Sequence, residues 1–307
     1  MTLLSDRAQM NNLNGILLVI GAMAAFTLED ALIKHLSTWF PTGQLLMILG
    51  FGAGGIFAAL ALMFRHSLFA RKAWSRAAIL RILSEVISST SFITALSLVD
   101  ISVVAAVFQA TPLAITAGAA IFFGEQVGWR RWSAIAIGFA GVLLIIRPGL
   151  DGFEPAALFV LLSVVGVAFR DLITRRIPGD VSSFVISFQG FGALIFAGAA
   201  LLWVTGDRPI LPEPGHLALI AGTLVFSVLG YYAIVQAMRV ADASAVQPFR
   251  YTRLIFSILA GVLIFGERPD TLTLIGAGLI IATGLYTFLR EQHLVRIARR
   301  EARRAAA

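Results

Sequence analysis

The sequence predicts an all-α membrane protein with ten transmembrane helices, arranged as two inverted five-helix repeats. Three observations support this prediction. Of the 307 residues, 58% are hydrophobic and only 13% are charged, whereas about a quarter of the residues in a soluble domain are charged. Apolar runs of roughly 18–24 residues recur along the whole chain, and each is long enough to cross a hydrocarbon core about 30 Å thick. In addition, one stretch of sequence occurs twice.

The repeated stretch shows that the chain has two related halves. Residues 95–125 (ALSLVDISVVAAVFQATPLAITAGAAIFFGE) align with residues 237–267 (AMRVADASAVQPFRYTRLIFSILAGVLIFGE) at a constant offset. Asp100 matches Asp242, and both copies end in Phe-Gly-Glu. A period of about 140 residues is too long for a solenoid repeat. We therefore expect two homologous halves within one membrane domain.

The apolar segments are separated by residues that end helices, chiefly Pro, Gly and Asp. The first segment lacks the small-residue cleavage site of a signal peptide, so we expect a retained helix. The breaks contain Pro41, Asp100, Gly124, Pro148, Pro178, Pro209, Asp242 and Pro269. We predict helices over residues 13–34, 42–64, 77–98, 102–123, 131–147, 155–174, 181–204, 215–238, 244–265 and 271–290.

The placement of Lys and Arg predicts the orientation. If the N-terminus is cytoplasmic, 16 of these residues fall in inside segments and four in outside segments. This bias favours cytoplasmic N- and C-termini. Because each half has an odd number of helices, the halves insert in opposite orientations, as in many secondary transporters. We assign residues 1–150 to the first repeat, 151–290 to the second, and 291–307 to a basic cytoplasmic tail that touches lipid headgroups.

The composition excludes several kinds of chemistry. The chain has no Cys, which rules out disulfides, thiol catalysis and Cys-based metal sites. It contains neither a P-loop nor an HExxH motif. The net charge of +7 reflects the loop asymmetry and gives little reason to propose nucleic-acid binding. We therefore expect a protein that is not an enzyme, with no catalytic residues, no metal, no cofactor and no nucleic-acid partner.

Each half closes on Phe-Gly-Glu followed by an apolar, Gly-containing helix: WSAIAIGFAGVLLII at 132–146 and LIGAGLIIATGLYTF at 274–288. This arrangement resembles the drug/metabolite transporter superfamily, EamA-type, over essentially the whole chain. In length, topology and sequence style the chain is most similar to the YddG-type amino-acid exporters of bacterial inner (cytoplasmic) membranes. The resemblance implies a multi-pass secondary transporter that moves aromatic and other neutral amino acids outward by alternating access at a central cavity.

Three alternatives to amino-acid export remain open. One is a channel, which the inverted repeat and the Pro-bent helices fit, although the sequence has no ring-forming filter motif. Some relatives accept toxic cations, so multidrug or cationic-metabolite efflux is the alternative within the family. A membrane-embedded enzyme is the alternative from another class, but it would need a carboxylate cluster or a His site near an interface, and the sequence shows neither. We expect a monomer whose partners are a small amino-acid-like solute and the lipid bilayer.

Predicted helices 4 and 9 carry the clearest candidate site. Gln109 and Tyr251 occupy the same position of the repeat, and each has a Pro three residues away. Pro removes a backbone hydrogen bond, and such irregular backbone is tolerated in a membrane where it lines a cavity or is buried in protein. We predict a substrate cavity between these helices, with ordinary kinked packing as the alternative. The residues assigned to it are Gln109, Pro112, Ser244, Pro248 and Tyr251.

Charged side chains inside apolar segments are the second signal, because a charge at the bilayer centre costs about 2.5–3.5 kcal/mol on insertion scales. In predicted helix 9, Arg250 and Arg253 either reach the near interface or bind an acid or a substrate carboxylate. In predicted helix 3, Glu85 and Ser88 share a stripe with Arg81. This stripe is either an internal Arg81–Glu85 ion pair or a site for a substrate ammonium group or a proton.

The remaining candidates lie on predicted helices 1 and 8. Phe26 and Asp30 share a face with Lys34, and Asp30 with Lys34 forms either an interfacial ion pair or part of the site. Tyr231 either forms an aromatic cavity wall or packs against neighbours. We expect predicted helices 1, 3, 4, 6, 8 and 9 to line the cavity and helices 2, 5, 7 and 10 to form the scaffold. The candidates from outside the two Pro stripes are Glu85, Ser88, Phe26, Asp30, Tyr231 and Arg250.

The Glu of each Phe-Gly-Glu motif is predicted to be structural. Glu125 and Glu267 end predicted helices 4 and 9 at opposite membrane faces. A carboxylate is unfavourable at a helix C-terminus because of the helix dipole. We therefore expect each of them to be held by an Arg in a neighbouring loop.

Overall fold

The computed structural model describes the backbone of residues 2–125, 127–150, 153–241 and 246–305. All regular elements in these ranges are helical. Two short 3-10 helices cover Arg71–Trp74 and Gln247–Tyr251. The α-helices are α1 (Thr2–Leu36), α2 (Thr42–Met63), α3 (Arg76–Leu98), α4 (Ile101–Phe108), α5 (Thr111–Phe123), α6 (Trp129–Ile146), α7 (Ala157–Thr174), α8 (Ser183–Thr205), α9 (Pro214–Val240), α10 (Thr252–Phe265) and α11 (Thr271–Ala305).

Within these ranges, ten stretches are long and apolar enough to cross a membrane, as predicted. We number them spans 1 to 10. They are Asn12–Leu36, Thr42–Met63, Arg76–Leu98, Ile101–Phe123, Trp129–Ile146, Ala157–Thr174, Ser183–Thr205, Pro214–Ile234, Gln247–Phe265 and Thr271–Arg290. We call the membrane face at which span 1 begins the terminal face, and the other the opposite face.

Spans 4 and 9 are not regular α-helices along their whole length. Span 4 divides into α4 and α5, with Gln109 and Ala110 between them. Pro112 has no N–H to donate to the carbonyl of Phe108, and the Thr111 hydroxyl donates to that carbonyl instead, at 2.6 Å. Span 9 begins as the 3-10 helix that contains Pro248 and continues as α10. Both helices that carry a predicted Pro stripe therefore change their geometry at the middle or start of the span.

The four largest helix–helix interfaces among the described residues each join the two halves of the chain. They pair span 1 with span 8, span 2 with span 7, span 3 with span 6, and span 5 with span 10. Exchanging the halves maps this set of pairs onto itself, since spans 1 and 8 correspond to spans 6 and 3. The two halves therefore form one interlocked bundle rather than two separate units.

Close backbone contacts hold the scaffold pairs together. A Cβ added at Gly43 in span 2 would lie 2.6 Å from the carbonyl oxygen of Gly198 in span 7. A Cβ added at Gly141 in span 5 would lie 2.7 Å from the carbonyl oxygen of Gly276 in span 10. Real side chains do not approach a backbone this closely, so Gly permits these interfaces, as small residues commonly do between membrane helices.

Candidate functional site

A cavity of about 340 Å³ lies among spans 1, 4, 6, 9 and 10. It lies beside the irregular parts of spans 4 and 9, which contribute to its wall Phe108, Gln109, Thr111 and Pro112 from span 4 and Gln247, Pro248, Arg250 and Tyr251 from span 9. Its volume is within the range of small-molecule sites in proteins, at the lower end. Span 10 was predicted to be scaffold, whereas Gly284 and Phe288 of span 10 form part of the wall. Spans 3 and 8 were predicted to line the cavity, but no described residue of either span does so.

Six of the predicted residues line this cavity, and a seventh lies outside the described residues. Ser244 is the residue that lies outside them. The binding role of the whole set stays a prediction. The six lining residues are Phe26, Gln109, Pro112, Pro248, Arg250 and Tyr251.

The structure places Glu85 and Ser88 behind the cavity wall. Glu85 accepts from Arg170 at 3.1 Å and lies 3.4 Å from Arg81, so two guanidinium groups occupy its carboxylate. The predicted Arg81–Glu85 contact is therefore present, together with a stronger partner from span 6. Ser88 is 3% exposed, and its hydroxyl lies 3.3 Å from that of Ser163, which leaves it no access to a solute.

Tyr231 and Asp30 also lie outside the cavity wall. The Tyr231 ring packs at 4.8 Å from the Phe57 ring, in agreement with the packing alternative. Asp30 accepts from Arg253 at 2.6 Å, so the expected Asp30–Lys34 ion pair is wrong. Lys34 instead donates to the Val99 carbonyl. Asp30 therefore acts on the cavity only through Arg253, which does line it.

Arg170 is the main cavity residue that the candidate set lacked. Its guanidinium joins Glu85 of span 3, at 3.1 Å, to Asp171 of its own span, at 2.9 Å. The signal for it was its charge inside an apolar segment, but its partner on span 3 could not be read from the sequence. Together with Arg250 and Arg253, it gives the cavity wall three guanidinium groups against the single carboxylate of Asp171.

Aromatic rings form much of the remaining wall. The Arg253 guanidinium lies 5.5 Å from the Phe26 ring centroid and 5.4 Å from that of Phe108, within the range of cation–π contacts. The Tyr251 hydroxyl occupies the position that a Cβ at Gly284 would take. The absence of a side chain at Gly284 therefore leaves room for Tyr251 to extend across the cavity. This role depends on how span 10 packs against span 9 and is not visible in the sequence.

Glu267 closes the bundle at the opposite face. Its carboxylate accepts from the backbone N–H of Ile101 at 2.7 Å and of Ser102 at 3.1 Å, and from the Ser102 hydroxyl at 2.7 Å. It thereby caps the N-terminus of α4, where the helix dipole favours a negative charge. Lys34 lies 3.6 Å away. The expected partner, a loop Arg, is thus replaced by a Lys and a helix N-terminus.

Glu125, the repeat equivalent of Glu267, makes a different set of contacts at the terminal face. It accepts from Arg175 at 3.1 Å, as expected for a neighbouring loop Arg. The side chain of Glu125 is 53% exposed, whereas that of Glu267 is 4% exposed. The opposite face of spans 4 and 9 is therefore closed around a buried Glu, while the equivalent Glu at the terminal face is open to solvent.

Comparisons with known proteins identify relatives over most of the chain. The profile of the EamA-like transporter family matches residues 13–147 and again residues 154–289. A riboflavin transporter of Rhizobium johnstonii is 31% identical over 69% of this chain and 69% of its own. An S-adenosylmethionine uptake transporter of Rickettsia bellii is 29% identical, over 66% of this chain and 69% of its own.

Two more distant matches extend the comparison. A pseudopaline exporter of Pseudomonas aeruginosa is 22% identical, over 87% of this chain and 93% of its own. One crystal structure has a TM-score of 0.61 at 21% identity, and covers 91% of this chain and 98% of that one; this likeness concerns the fold alone. The transporters named here carry S-adenosylmethionine, riboflavin and pseudopaline, so they do not support the narrower resemblance to YddG-type amino-acid exporters.

Proposed function

Because this chain belongs to the EamA-like transporter family, we propose that it is a secondary carrier for a small heteroaromatic metabolite. The solute binds in the cavity at the breaks of spans 4 and 9. Residues 1–150 and 151–290 form two halves of opposite orientation that rock against each other to alternate access, as inverted-repeat transporters do. Residues 291–307 form a basic tail. The relatives include uptake carriers and an exporter, so outward transport stays a prediction.

The observation that carries this proposal is the position of the cavity. It lies where both repeat-related helices lose regular geometry, and it draws its wall from both halves of the chain. Irregular backbone inside a membrane is tolerated where it lines a cavity. A site between two halves can be exposed to each side in turn, whereas a site within one half cannot.

The wall chemistry supports a heteroaromatic solute. Phe26, Phe108, Tyr251 and Phe288 surround the cavity, and aromatic rings favour offset or edge-to-face contacts with other rings. The relatives named for S-adenosylmethionine and riboflavin carry solutes with fused heterocycles. We therefore propose this solute class in place of the neutral amino acids that the narrower resemblance implied.

The arrangement of charge supports the proposed orientation. The 16-to-four distribution of Lys and Arg favours a cytoplasmic terminal face, and the relatives are bacterial membrane carriers. We therefore propose the bacterial inner membrane as the location. In this orientation the buried Glu267 closes the outer side of the cavity.

Counterflow in proteoliposomes tests the proposed function. Vesicles loaded with unlabelled S-adenosylmethionine or riboflavin should transiently accumulate the same labelled compound, because a carrier exchanges solute across the membrane. Phenylalanine serves as the competing class. Flux without counterflow would indicate a channel, exchange of phenylalanine alone would restore the amino-acid assignment, and no flux of any of these solutes would contradict the proposal.

Two blocking variants place the site in the same assay. Gln109→Trp and Tyr251→Trp should each abolish counterflow, because the new ring fills a cavity of about 340 Å³. Gly192→Trp is the matched control, since a Cβ there would meet only the Phe188 ring at 3.9 Å. If both blocking variants are well folded and exchange solute like the wild type, the cavity is not the transport site.

A further inference from the structure

Eight charged side chains lie inside the spans, three or more positions away from the first and last residue of the span. Six of them form ion pairs with one another. Within the described part of the chain, Glu29 and Arg250 make no such pair, and of these two only Arg250 lines the cavity. The eight are Glu29, Asp30, Arg81, Glu85, Arg170, Asp171, Arg250 and Arg253.

Arg250 lines the cavity with most of its hydrogen-bonding capacity unused. Among the described residues it donates one hydrogen bond, to the Gln247 amide oxygen at 3.4 Å, whereas a guanidinium group has five N–H donors. Asp171 lines the same cavity, but its carboxylate already accepts from Arg170 at 2.9 Å. Arg250 therefore contributes an uncompensated positive charge to the cavity wall.

Gln109 adds a second unused donor to the same cavity. Its Nε2 atom is buried and has no hydrogen-bond partner among the described residues. The other atom in this condition, the Thr90 hydroxyl, is on span 3 and does not line the cavity. A buried donor without an acceptor costs about 1–3 kcal/mol, so the Gln109 amide is stabilised by any solute that brings an acceptor.

Both groups have unused donors, and one of them carries a full charge. We infer that the cavity recognises a carboxylate on its solute, which accepts hydrogen bonds from Arg250 and Gln109. This inference rests on the proposed function, since it names the group by which the carried solute is held. Of the two solutes in the counterflow test it favours S-adenosylmethionine, which has a carboxylate, over riboflavin, which has none. A carboxylate matches the charge, because one uncompensated guanidinium balances one negative charge, whereas a phosphate monoester carries about −1.5 to −2 at neutral pH.

The repeat explains how this site orients a solute. Gln109 corresponds to Tyr251, and Arg250 corresponds to Phe108. At each of these two pairs of equivalent positions, one half supplies a donor and the other an aromatic ring. The solute carboxylate therefore contacts Arg250 and Gln109, while its ring packs against Phe108 and Tyr251. Two halves with the same architecture thus give a site with two different ends.

Two ligands of the same shape, one with a carboxylate and one with a neutral amide in its place, test this inference. The affinities of indole-3-acetate and indole-3-acetamide for the purified, full-length carrier are measured by ligand-dependent thermal stabilisation. The wild type should bind the acetate about tenfold or more tightly, because a hydrogen bond to a charged group is worth more than a neutral one. Arg250→Gln should remove this preference, Gln109→Leu should reduce it several-fold, and Arg250→Lys should retain part of it.

An exposed Arg outside the cavity provides the control. Arg76→Gln removes an exposed charge from the start of α3 and should leave the preference unchanged. Equal binding of the two indoles by the wild type, or a preference that survives in Arg250→Gln, would overturn the inference. The indole pair does not depend on the natural solute, so failure of S-adenosylmethionine and riboflavin counterflow with the indole preference intact would contradict the proposed function alone.

Discussion

At the scale of single residues, the spans bury their charges as pairs drawn from distant parts of the chain. Asp30 of span 1 meets Arg253 of span 9 at 2.6 Å, and Glu85 of span 3 meets Arg170 of span 6 at 3.1 Å. Each pair crosses from one half to the other. The same side chains that make the spans tolerable to a membrane therefore also tie the two halves together beside the cavity.

Removing one member of the Asp30–Arg253 pair should lower the stability of the folded protein more than removing both members. Arg253→Met leaves Asp30, whose side chain is 6% exposed, without its partner, and breaking a buried pair in this way typically costs about 3–5 kcal/mol. The double variant Asp30→Asn with Arg253→Met should recover most of this loss, because no partner of the pair stays charged. Thermal unfolding of the detergent-solubilised protein measures both.

The exposed pair Lys72–Asp180 provides the control for this comparison. Its side chains are 55% and 60% exposed, so Lys72→Met should change the stability by no more than about 1 kcal/mol. If the double variant of the buried pair is as unstable as Arg253→Met alone, the contribution of the pair is not electrostatic.

These pairs also mark how far residue-level prediction from the sequence reaches. The charges of Asp30, Glu85 and Arg253 inside apolar segments were visible in the sequence, and so was the Arg81–Glu85 spacing. The partners across helices were not visible, because a contact between residues 30 and 253 depends on the packing of spans 1 and 9. Asp30 was therefore assigned to Lys34, four residues away, in place of its actual partner.

At the scale of helices, the two Phe-Gly-Glu motifs at the ends of spans 4 and 9 make similar contacts through Phe but different contacts through Glu. Lys34 lies 5.5 Å from the Phe265 ring centroid, and Arg176 lies 4.5 Å from that of Phe123, so each motif has a cation over its ring. Only Glu267 caps a neighbouring helix among the described residues. At the opposite face, the end of span 9 is therefore joined to the start of span 4 by one carboxylate.

Loss of the Glu267 cap should open the opposite face. Glu267→Ala removes three hydrogen bonds to the start of α4, and Gly261→Ala should act in the same direction, because a Cβ at Gly261 would collide with the Glu267 carboxylate. The chain has no Cys, so a single Val103→Cys near this end reports access. Its labelling by a membrane-impermeant maleimide from that face should rise several-fold in either variant.

Glu125→Ala is the matched control for the Glu267 experiment. It removes the equivalent carboxylate at the terminal face, where Arg175 is its partner, and should leave Val103→Cys labelling from the opposite face unchanged or lower it. Unchanged labelling in Glu267→Ala would show that the cap does not hold this face closed.

A second fastening at the opposite face joins span 5 to the start of span 10. Hydrogen bonds from Arg147 and from the backbone of Thr273 lower the pKa of Asp270 to about 2. A carboxyl group whose pKa is lowered by folding stabilises the folded state at pH values above its unfolded pKa of about 3.9, and this contribution is lost as the pH falls through about 2. The Arg147–Asp270 contact is therefore insensitive to pH in the neutral range.

At the scale of the whole molecule, the bundle follows from a few properties that the sequence already displays. Length and apolarity predicted the ten spans, and Pro112 and Pro248 predicted where spans 4 and 9 depart from regular helix. The contribution of Gly284 and Phe288 to the cavity could not be predicted in this way. Span 10 has no charge in its interior, and only its packing beside span 9 brings it to the solute site.

The orientation of the molecule can be tested with two single-Cys variants in intact cells. His66 lies in an exposed segment between spans 2 and 3 at the terminal face, and Leu211 is 90% exposed between spans 7 and 8 at the opposite face. Because Lys and Arg concentrate at the terminal face, His66→Cys should be protected from an impermeant maleimide until the cells are opened. Leu211→Cys should be labelled at once.

Both positions suit this test because neither substitution disturbs packing. Two neighbouring positions are less suitable for a Cys. Ala73, in the same loop as His66, is only 2% exposed. Gly206, at the end of span 7, has a φ of +74°, which is strained for any residue with a side chain. The Cys-free wild type gives the background. Labelling of His66→Cys in intact cells, with protection of Leu211→Cys, would reverse the orientation and place the Glu267 closure on the cytoplasmic side. Labelling of both in intact cells would contradict the odd number of spans, five, that separates residue 66 from residue 211.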